Sequence, residues 1–369
     1  MNRNPQLDLA KAAGMFLVYY GHFAQRLIEC GSASAGLQWK LIYSFHIPFF
    51  FFLSGIFFKP GSSLLPFAYD RFKRRIIPVL FFSAMALPLW VLMKDKSLLS
   101  LINDVYWNYL TGFPSLNRAT WFFICLFTVE IGMMIFARQF SLQKHYRLCA
   151  YAVFFFLTGY FLNVHGNKIA QLFHMKNNFW YINDAFFAAS FYIAGFASRT
   201  YFCSPVRPTK EIPVLFVLGI ILFSTFNLND GPFPAVLPAV MMVCSSYGNF
   251  LLFGITALSG TLFILFLIRL IPGSFKLAEY IGRQTAIYLG LGGITTMFID
   301  TPLIRYGGFV PDSQLATFVY CVLYVSTMML LLAPLSFILN KYMPMLVGGK
   351  VPRSQVLRCK PFHRTSGIK

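Results

Sequence analysis

Charge is scarce in this sequence. Only 12% of its 369 residues are Asp, Glu, Lys or Arg, about half the share of an ordinary soluble domain, while 57% are hydrophobic and 18% aromatic. A water-soluble globule of this length has too little interior to hide that much apolar surface. Paired cysteines are also lacking. Cys30, Cys125, Cys149, Cys203, Cys244, Cys321 and Cys359 form no C-x-x-C pair and no metal-ligand spacing, and most sit inside apolar runs. They read as small hydrophobes, which excludes a disulfide framework and a zinc cluster. Low-complexity tracts, 20–50-residue repeats and Pro/Gly linkers are missing too, so the chain reads as one domain. Acidic residues are the scarcest charge, 12 against 31 basic, giving a net charge of +19. A nucleic-acid binder gathers such charge on one face of a soluble module. Here it punctuates apolar runs, so nucleic acid is excluded as a partner.

What is present is a series of segments fit to cross a bilayer. The apolar runs are Leu9–Ile28, Leu41–Phe58, Ile76–Met93, Thr120–Ala137, Leu148–Asn163, Phe179–Ser198, Ile212–Asn227, Phe250–Ile271, Thr285–Ile299 and Leu315–Leu339. About 20 apolar residues cross the roughly 30 Å hydrocarbon layer as a helix with every backbone hydrogen bond satisfied internally. The fold class is therefore all-α, a polytopic transmembrane bundle of about ten helices, with Phe233–Ser246 as a candidate re-entrant or eleventh segment. The first run carries Asp8, Lys11, His22 and Arg26, a poor signal-peptide core despite the small residues after Cys30, so it is expected to be retained. An inside N-terminus puts 23 of the 31 Lys and Arg on the cytoplasmic side, and both termini then lie there. Residues 1–340 form the membrane domain and 341–369 a basic cytoplasmic tail, next to anionic membrane lipids.

Ionisable groups inside such helices are costly and point to function. Lys11 and His22 are eleven residues apart, three turns of roughly 100° per residue, so they share a face about 16 Å apart along the axis. Asp8 lies within roughly 40° of that face. The stripe runs from a cationic cytoplasmic mouth to an imidazole in the outer half of the membrane. His46 comes near the start of the next helix and reaches a similar depth, so His22 and His46 are expected to share a polar cavity. The alternative is two separate histidines bonded to backbone. No third ligand stands at metal spacing, so no metal is expected. His145, His165, His174 and His363 fall in expected loops or the tail. Glu130, mid-helix behind Trp121-Phe122-Phe123, is either functional or the partner of a buried Arg or hydroxyl. Asp184 and Asp300 lie at the outer ends of their runs. Arg71, Lys73, Arg74 and Arg75 either anchor topology or bind phosphate.

At these residues the chain resembles a known family. Leu7-Asp8-Leu9-Ala10-Lys11 through Gly21-His22 is similar to the opening helix of the integral membrane acyltransferase 3 family, a basic residue, ten residues, then histidine. Ser44-Phe45-His46-Ile47-Pro48-Phe49 to Phe52-Leu53-Ser54-Gly55 looks like its second helix, and Arg71-Phe72-Lys73-Arg74-Arg75 with Pro78 like the basic entry to its third. Thr120-Trp121-Phe122-Phe123 is similar to its Trp-Phe motif, and Tyr280-Ile281-Gly282-Arg283-Gln284-Thr285 to its late Gly-Lys-Asn-Ser block. The likeness covers most of the chain and is nearest the fucose 4-O-acetylase type of sugar O-acetylase. Two departures stand out. Lys11 replaces a common Arg, and cannot make a bidentate phosphate contact. A histidine that often follows the late block is replaced by Gly290, Gly292 and Gly293. The family's fused esterase-like domain is absent from this sequence.

The resemblance implies transfer of an acetyl group from acyl-CoA (acetyl-CoA as donor) to a hydroxyl of a cell-surface, exopolysaccharide or lipid-linked sugar, at a bacterial cytoplasmic membrane. A sugar hydroxyl is a weak nucleophile and calls for a general base, most often histidine. On this reading His22 is the base or a transient acyl carrier, and His46 orients it. Lys11, with Arg74 and Arg75, holds the CoA phosphates, and Asp8, Glu130 and Asp184 support. The rival is a polytopic transporter or lipid-linked sugar flippase, since intramembrane charge and about ten helices suit those as well.

Overall fold

The computed structural model describes residues 4–61, 63–93, 98–172, 178–231 and 237–349; His174, His363 and most of the basic tail lie outside them. Fourteen α-helices follow one another among these residues: α1 (Pro5–Glu29), α2 (Ala35–Tyr43), α3 (His46–Ile56), α4 (Leu64–Met93), α5 (Leu98–Leu110), α6 (Trp121–Gln139), α7 (His145–Leu172), α8 (Ile182–Phe202), α9 (Pro208–Thr225), α10 (Phe250–Leu270), α11 (Lys276–Arg283), α12 (Thr285–Thr295), α13 (Thr301–Gly307) and α14 (Gln314–Tyr342). No strand occurs among the described residues. Eight helical units are long and apolar enough to cross a membrane: Ala35–Ile56, Leu64–Met93, Arg118–Gln139, His145–Gly166, Pro208–Thr225, Phe250–Leu270, Thr285–Gly307 and Gln314–Tyr342. At 25 and 21 residues, α1 and α8 have the same reach but are more polar. They pack at the centre, α1 against α2, α3, α11, α12 and α14, and α8 against α3, α6 and α7. Counting both as crossings gives the ten expected.

Polarity and centrality go together. The outer helices α7, α9 and α14 turn Phe154, Phe161, Phe216, Ile220, Leu331 and Phe337 outward, where lipid is the natural neighbour. The central helices can carry polar groups because other helices supply partners. Close approach at the centre depends on small residues. A Cβ on Gly55 of α3 would stand 1.9 Å from the Tyr192 carbonyl oxygen of α8, and one on Gly195 would stand 1.9 Å from that of Phe52. The two backbones touch, and only glycine fits at either crossing point.

Three elements differ from the sequence expectation. The second crossing is not one helix: α2 ends at Tyr43 and α3 begins at His46, with Phe45 between them at φ −144°. Pro48 adds no penalty, because the first turn of α3 needs no N–H there. The third crossing begins at Leu64, twelve residues before the apolar run starts at Ile76, so the Arg71–Arg75 cluster is itself helical. Of the Phe233–Ser246 candidate, residues 237–246 form a loop with a 3-10 turn at Met242–Cys244 and a Met241–Ser246 bridge. Asn229 pins this loop through the Tyr247 carbonyl at 2.9 Å and the Asn249 N–H at 2.8 Å. It does not cross. The sequence also gave no warning of α5, whose 13 residues, about 20 Å, are too short to span and which exposes Leu99, Tyr106 and Trp107 as an interfacial helix does.

Candidate active site

The long face of α1 opens onto a cavity of about 250 Å³ in the middle of the bundle. Lys11, Met15, Val18 and His22 form one wall, so the eleven-residue spacing does place the two polar groups on a common surface. Opposite stand Arg71 and Arg75 of α4 and Glu130 of α6, with Thr285, Ala286 and Leu289 of α12 closing a third side. Much of the remaining lining is aromatic, from Phe50, Phe57 and Phe58 near α3, Trp121, Phe122 and Phe123 of α6 and Tyr192 of α8. Three cations against one carboxylate line a largely apolar space, an arrangement that favours an anion. A second, much smaller void of about 10 Å³ continues past His22, between Val18, Tyr19, Ala119, Gly292, Gly293 and Thr296.

Glu130 is buried and is the partner of two half-buried arginines, close to one of the two readings its sequence position allowed. Its carboxylate accepts from Arg75 Nε at 3.0 Å and Nη2 at 2.9 Å, a bidentate pair, and from Arg71 Nη1 at 3.3 Å. Arg71 also lies over the Phe67 ring. Arg74 was expected in this group and is not part of it. Its Nε is held at 2.9 Å by both oxygens of Asp70, one turn earlier on α4. Arg71 and Arg75 are four residues apart, roughly 40° around the helix, whereas Arg74 is turned roughly 100° from Arg75. The cation that joins Lys11 and Arg75 in the cavity is Arg71.

Asp8 works at the base of the stripe. It lies 3.4 Å from Lys11 Nζ and 3.9 Å from Arg283 Nε, linking α1 to the late Gly282-Arg283-Gln284-Thr285 block. Lys11 Nζ also sits 4.0 Å above the Phe57 ring. α11 can reach Asp8 because Gly282 has no side chain; a Cβ there would stand 1.8 Å from the Asp8 carbonyl oxygen.

The structure separates His46 from the cavity. It is buried at the first turn of α3, with Nδ1 2.9 Å from the Ile42 carbonyl oxygen across the α2–α3 break. His46 lines neither void. This matches the alternative reading of a backbone-bonded histidine rather than a shared polar chamber, and the break in the second crossing is the cause. Between the two imidazoles stands Tyr43, its ring 4.7 Å from that of His46 and 6.2 Å, edge-on, from that of His22. Tyr43 Oη is 3.3 Å from His22 Nδ1. No spacing rule in the sequence singles out Tyr43.

Asp184 is away from the cavity. It accepts from Asn178 Nδ2 at 2.6 Å, Ser245 Oγ at 3.0 Å and the Tyr247 hydroxyl, tying α8 to the outer loop. With its carboxylate so occupied, it acts as a clamp. Asp300 accepts from the Tyr324 hydroxyl within a π-helical segment, Thr296–Asp300. One more buried pair, Arg269 with Glu211 at 2.8 and 3.1 Å, joins the start of α9 to the end of α10. Among the described residues no three His, Cys, Asp or Glu side chains gather as a metal site requires.

Comparison with known proteins adds one match. The model of the family described as an acyltransferase domain matches residues 4–335, nearly the whole described chain. No curated protein matches. No solved structure matches.

Proposed function

Since this chain belongs to that acyltransferase family and is a multi-pass membrane protein, we propose that it moves an acetyl group from acetyl-CoA to a sugar hydroxyl of a surface or lipid-linked glycan in a bacterial cytoplasmic membrane, as a sugar O-acetylase of the fucose 4-O-acetylase type would. The observation that carries this reading is one cavity with Lys11, Arg71 and Arg75 on its walls and His22 three turns further along α1 than Lys11. The roughly 16 Å between Lys11 and His22 along α1 is comparable to an extended pantetheine arm. Phosphates held at the cytoplasmic mouth would present the thioester to the imidazole. Guanidiniums suit phosphate because of their fork of donors, and α12 adds its N-terminus, which starts at the lining residue Thr285.

The chemistry then follows from the groups present. An imidazole nitrogen of His22 accepts the proton of the sugar hydroxyl as its oxygen attacks the thioester carbonyl carbon. The C–O bond forms, the C–S bond breaks, and the CoA thiolate takes the proton back from the imidazolium, leaving an ester and free CoA. Family membership favours transfer over transport.

The test is acetyl transfer from labelled acetyl-CoA to the glycan fraction of membranes, normalised to protein level. His22→Ala should lower it by about 10²–10⁴-fold, the usual contribution of a general base. His145→Ala, exposed at the start of α7, should match wild type. Substantial transfer by His22→Ala removes the assignment.

A further inference from the structure

His22 does not stand alone; its Nδ1 begins a chain of hydrogen bonds that runs to the outer surface. Nδ1 is 3.3 Å from Tyr43 Oη. The Tyr43 hydroxyl donates to Gln25 Oε1 at 2.8 Å. Gln25 Nε2 donates to Glu29 Oε1 at 3.0 Å, and the other Glu29 oxygen is paired with Arg26 Nη1. Gln25, Arg26 and Glu29 are the next turns of α1 after His22, so one helix supplies every member but Tyr43.

The chain has a direction, and chemistry sets it. A carboxylate paired with an arginine only accepts. Gln25 must therefore turn its NH₂ to Glu29, which leaves its carbonyl oxygen for Tyr43. The single Tyr43 proton is then committed to Gln25, so toward His22 its oxygen can offer only a lone pair. Nδ1 must carry the ring proton. Nε2 is left unprotonated, and it has no protein hydrogen-bond partner among the described residues, although His22 lines both voids. The nitrogen freed is the one a base needs.

We propose that Tyr43, with Gln25 and Glu29 behind it, is the positioning residue that fixes the Nδ1–H tautomer of His22 and so keeps Nε2 available as proton acceptor. The task resembles that of the carboxylate in a serine-protease triad, where the wrong tautomer is severely costly. Here the orienting group is neutral and the carboxylate stands two links away. A neutral neighbour suits a site deep in a membrane protein, because it adds no charge to be desolvated. The proposal rests on the reading of His22 as base, but the tautomer itself can be observed without any activity measurement.

The experiment is ¹⁵N NMR of histidine-labelled protein in micelles, the His22 resonances being assigned by difference against His22→Ala. Wild type should show a protonated Nδ1 and a pyridine-type Nε2. Tyr43→Phe keeps the ring that packs on Trp39 and His46, and should give a mixture of tautomers. Its kcat should fall roughly 10–100-fold, as when the orienting partner of a working histidine is lost, with KM for acetyl-CoA within about twofold. Glu29→Lys, at an exposed position at the end of α1, replaces an acceptor by a donor. Gln25 should then flip, Tyr43 should donate to Nδ1, and the proton should move to Nε2. A wild-type proton on Nε2, or a spectrum unchanged in both variants, overturns the proposal. Retained transfer by His22→Ala overturns the catalytic reading alone, and the tautomer result stands apart from it.

Discussion

Replacing Glu130 by Ala strands the Arg75 guanidinium and leaves Arg71 only a 3.9 Å contact with Asp70, whereas replacing Arg75 by Ala strands no charge. Glu130 is 4% exposed and is shared by Arg75, in a bidentate pair, and Arg71 at 3.3 Å. Removing one partner of a buried pair typically costs about 3–5 kcal/mol, most of it the penalty of the charge left behind. Both arginines are 21% exposed and face the central cavity, where water can reach them, so the lower end applies. Glu130→Ala should therefore cost about 3 kcal/mol. In Arg75→Ala the carboxylate keeps Arg71, so the loss is that of charge-assisted hydrogen bonds alone, about 1.5–3 kcal/mol, and should be the smaller of the two. The assay is unfolding by SDS titration in mixed micelles, followed by tryptophan fluorescence. A cost for Arg75→Ala equal to or above that of Glu130→Ala refutes the shared-carboxylate reasoning. A Glu130→Ala protein within about 0.5 kcal/mol of wild type would show that the cluster is solvated rather than buried.

Donor binding separates the cations. Lys11→Ala and Arg71→Ala should each weaken acetyl-CoA binding, measured by calorimetry on purified protein, while Arg74→Ala, whose guanidinium is occupied by Asp70, should bind as wild type does; the reverse order would move the phosphate site. Lys11→Arg should retain or improve affinity, because the guanidinium fork suits phosphate. Gly282→Ala forces a methyl group against the Asp8 carbonyl oxygen, so it should displace α11 and lower thermal stability in detergent, and an unchanged melting midpoint would mean that the α1–α11 contact yields easily. A reporter fused after Lys369 should read as cytoplasmic, and a signal from the opposite side would reverse the orientation argued from the basic residues.

Much of the fold was legible because the signals that define a membrane helix are local. Run length, the distribution of Lys and Arg, and the three-turn interval between Lys11 and His22 are all properties of neighbouring residues. Glu130 stood out for a similar reason, a carboxylate with no loop nearby to solvate it. The sequence was less informative at places where a helix breaks or continues against its composition. The α2–α3 break falls within one apolar stretch, and α4 extends through five cationic or acidic positions before its apolar run starts. Hydropathy registers neither, because it reports the preferred solvent and not the path of the backbone.

The sequence by itself determined that this chain crosses a bilayer many times, and that α1 carries a polar stripe. Composition and the 3.6-residue period suffice for those conclusions. Only the tertiary structure decided that Glu130 meets Arg71 and Arg75, 59 and 55 residues away, and not Arg74. It alone placed Tyr43 between two histidines and turned His46 onto the Ile42 carbonyl. The physical reason lies in the solvent. In water, a helix shows its inner face by an apolar stripe; in a bilayer, lipid is as apolar as the core, so the outward face looks the same as the inward one. The rotation of each helix about its axis is then set by close contacts such as Gly55 on Tyr192 and by buried polar pairs, which exist only once the helices have come together.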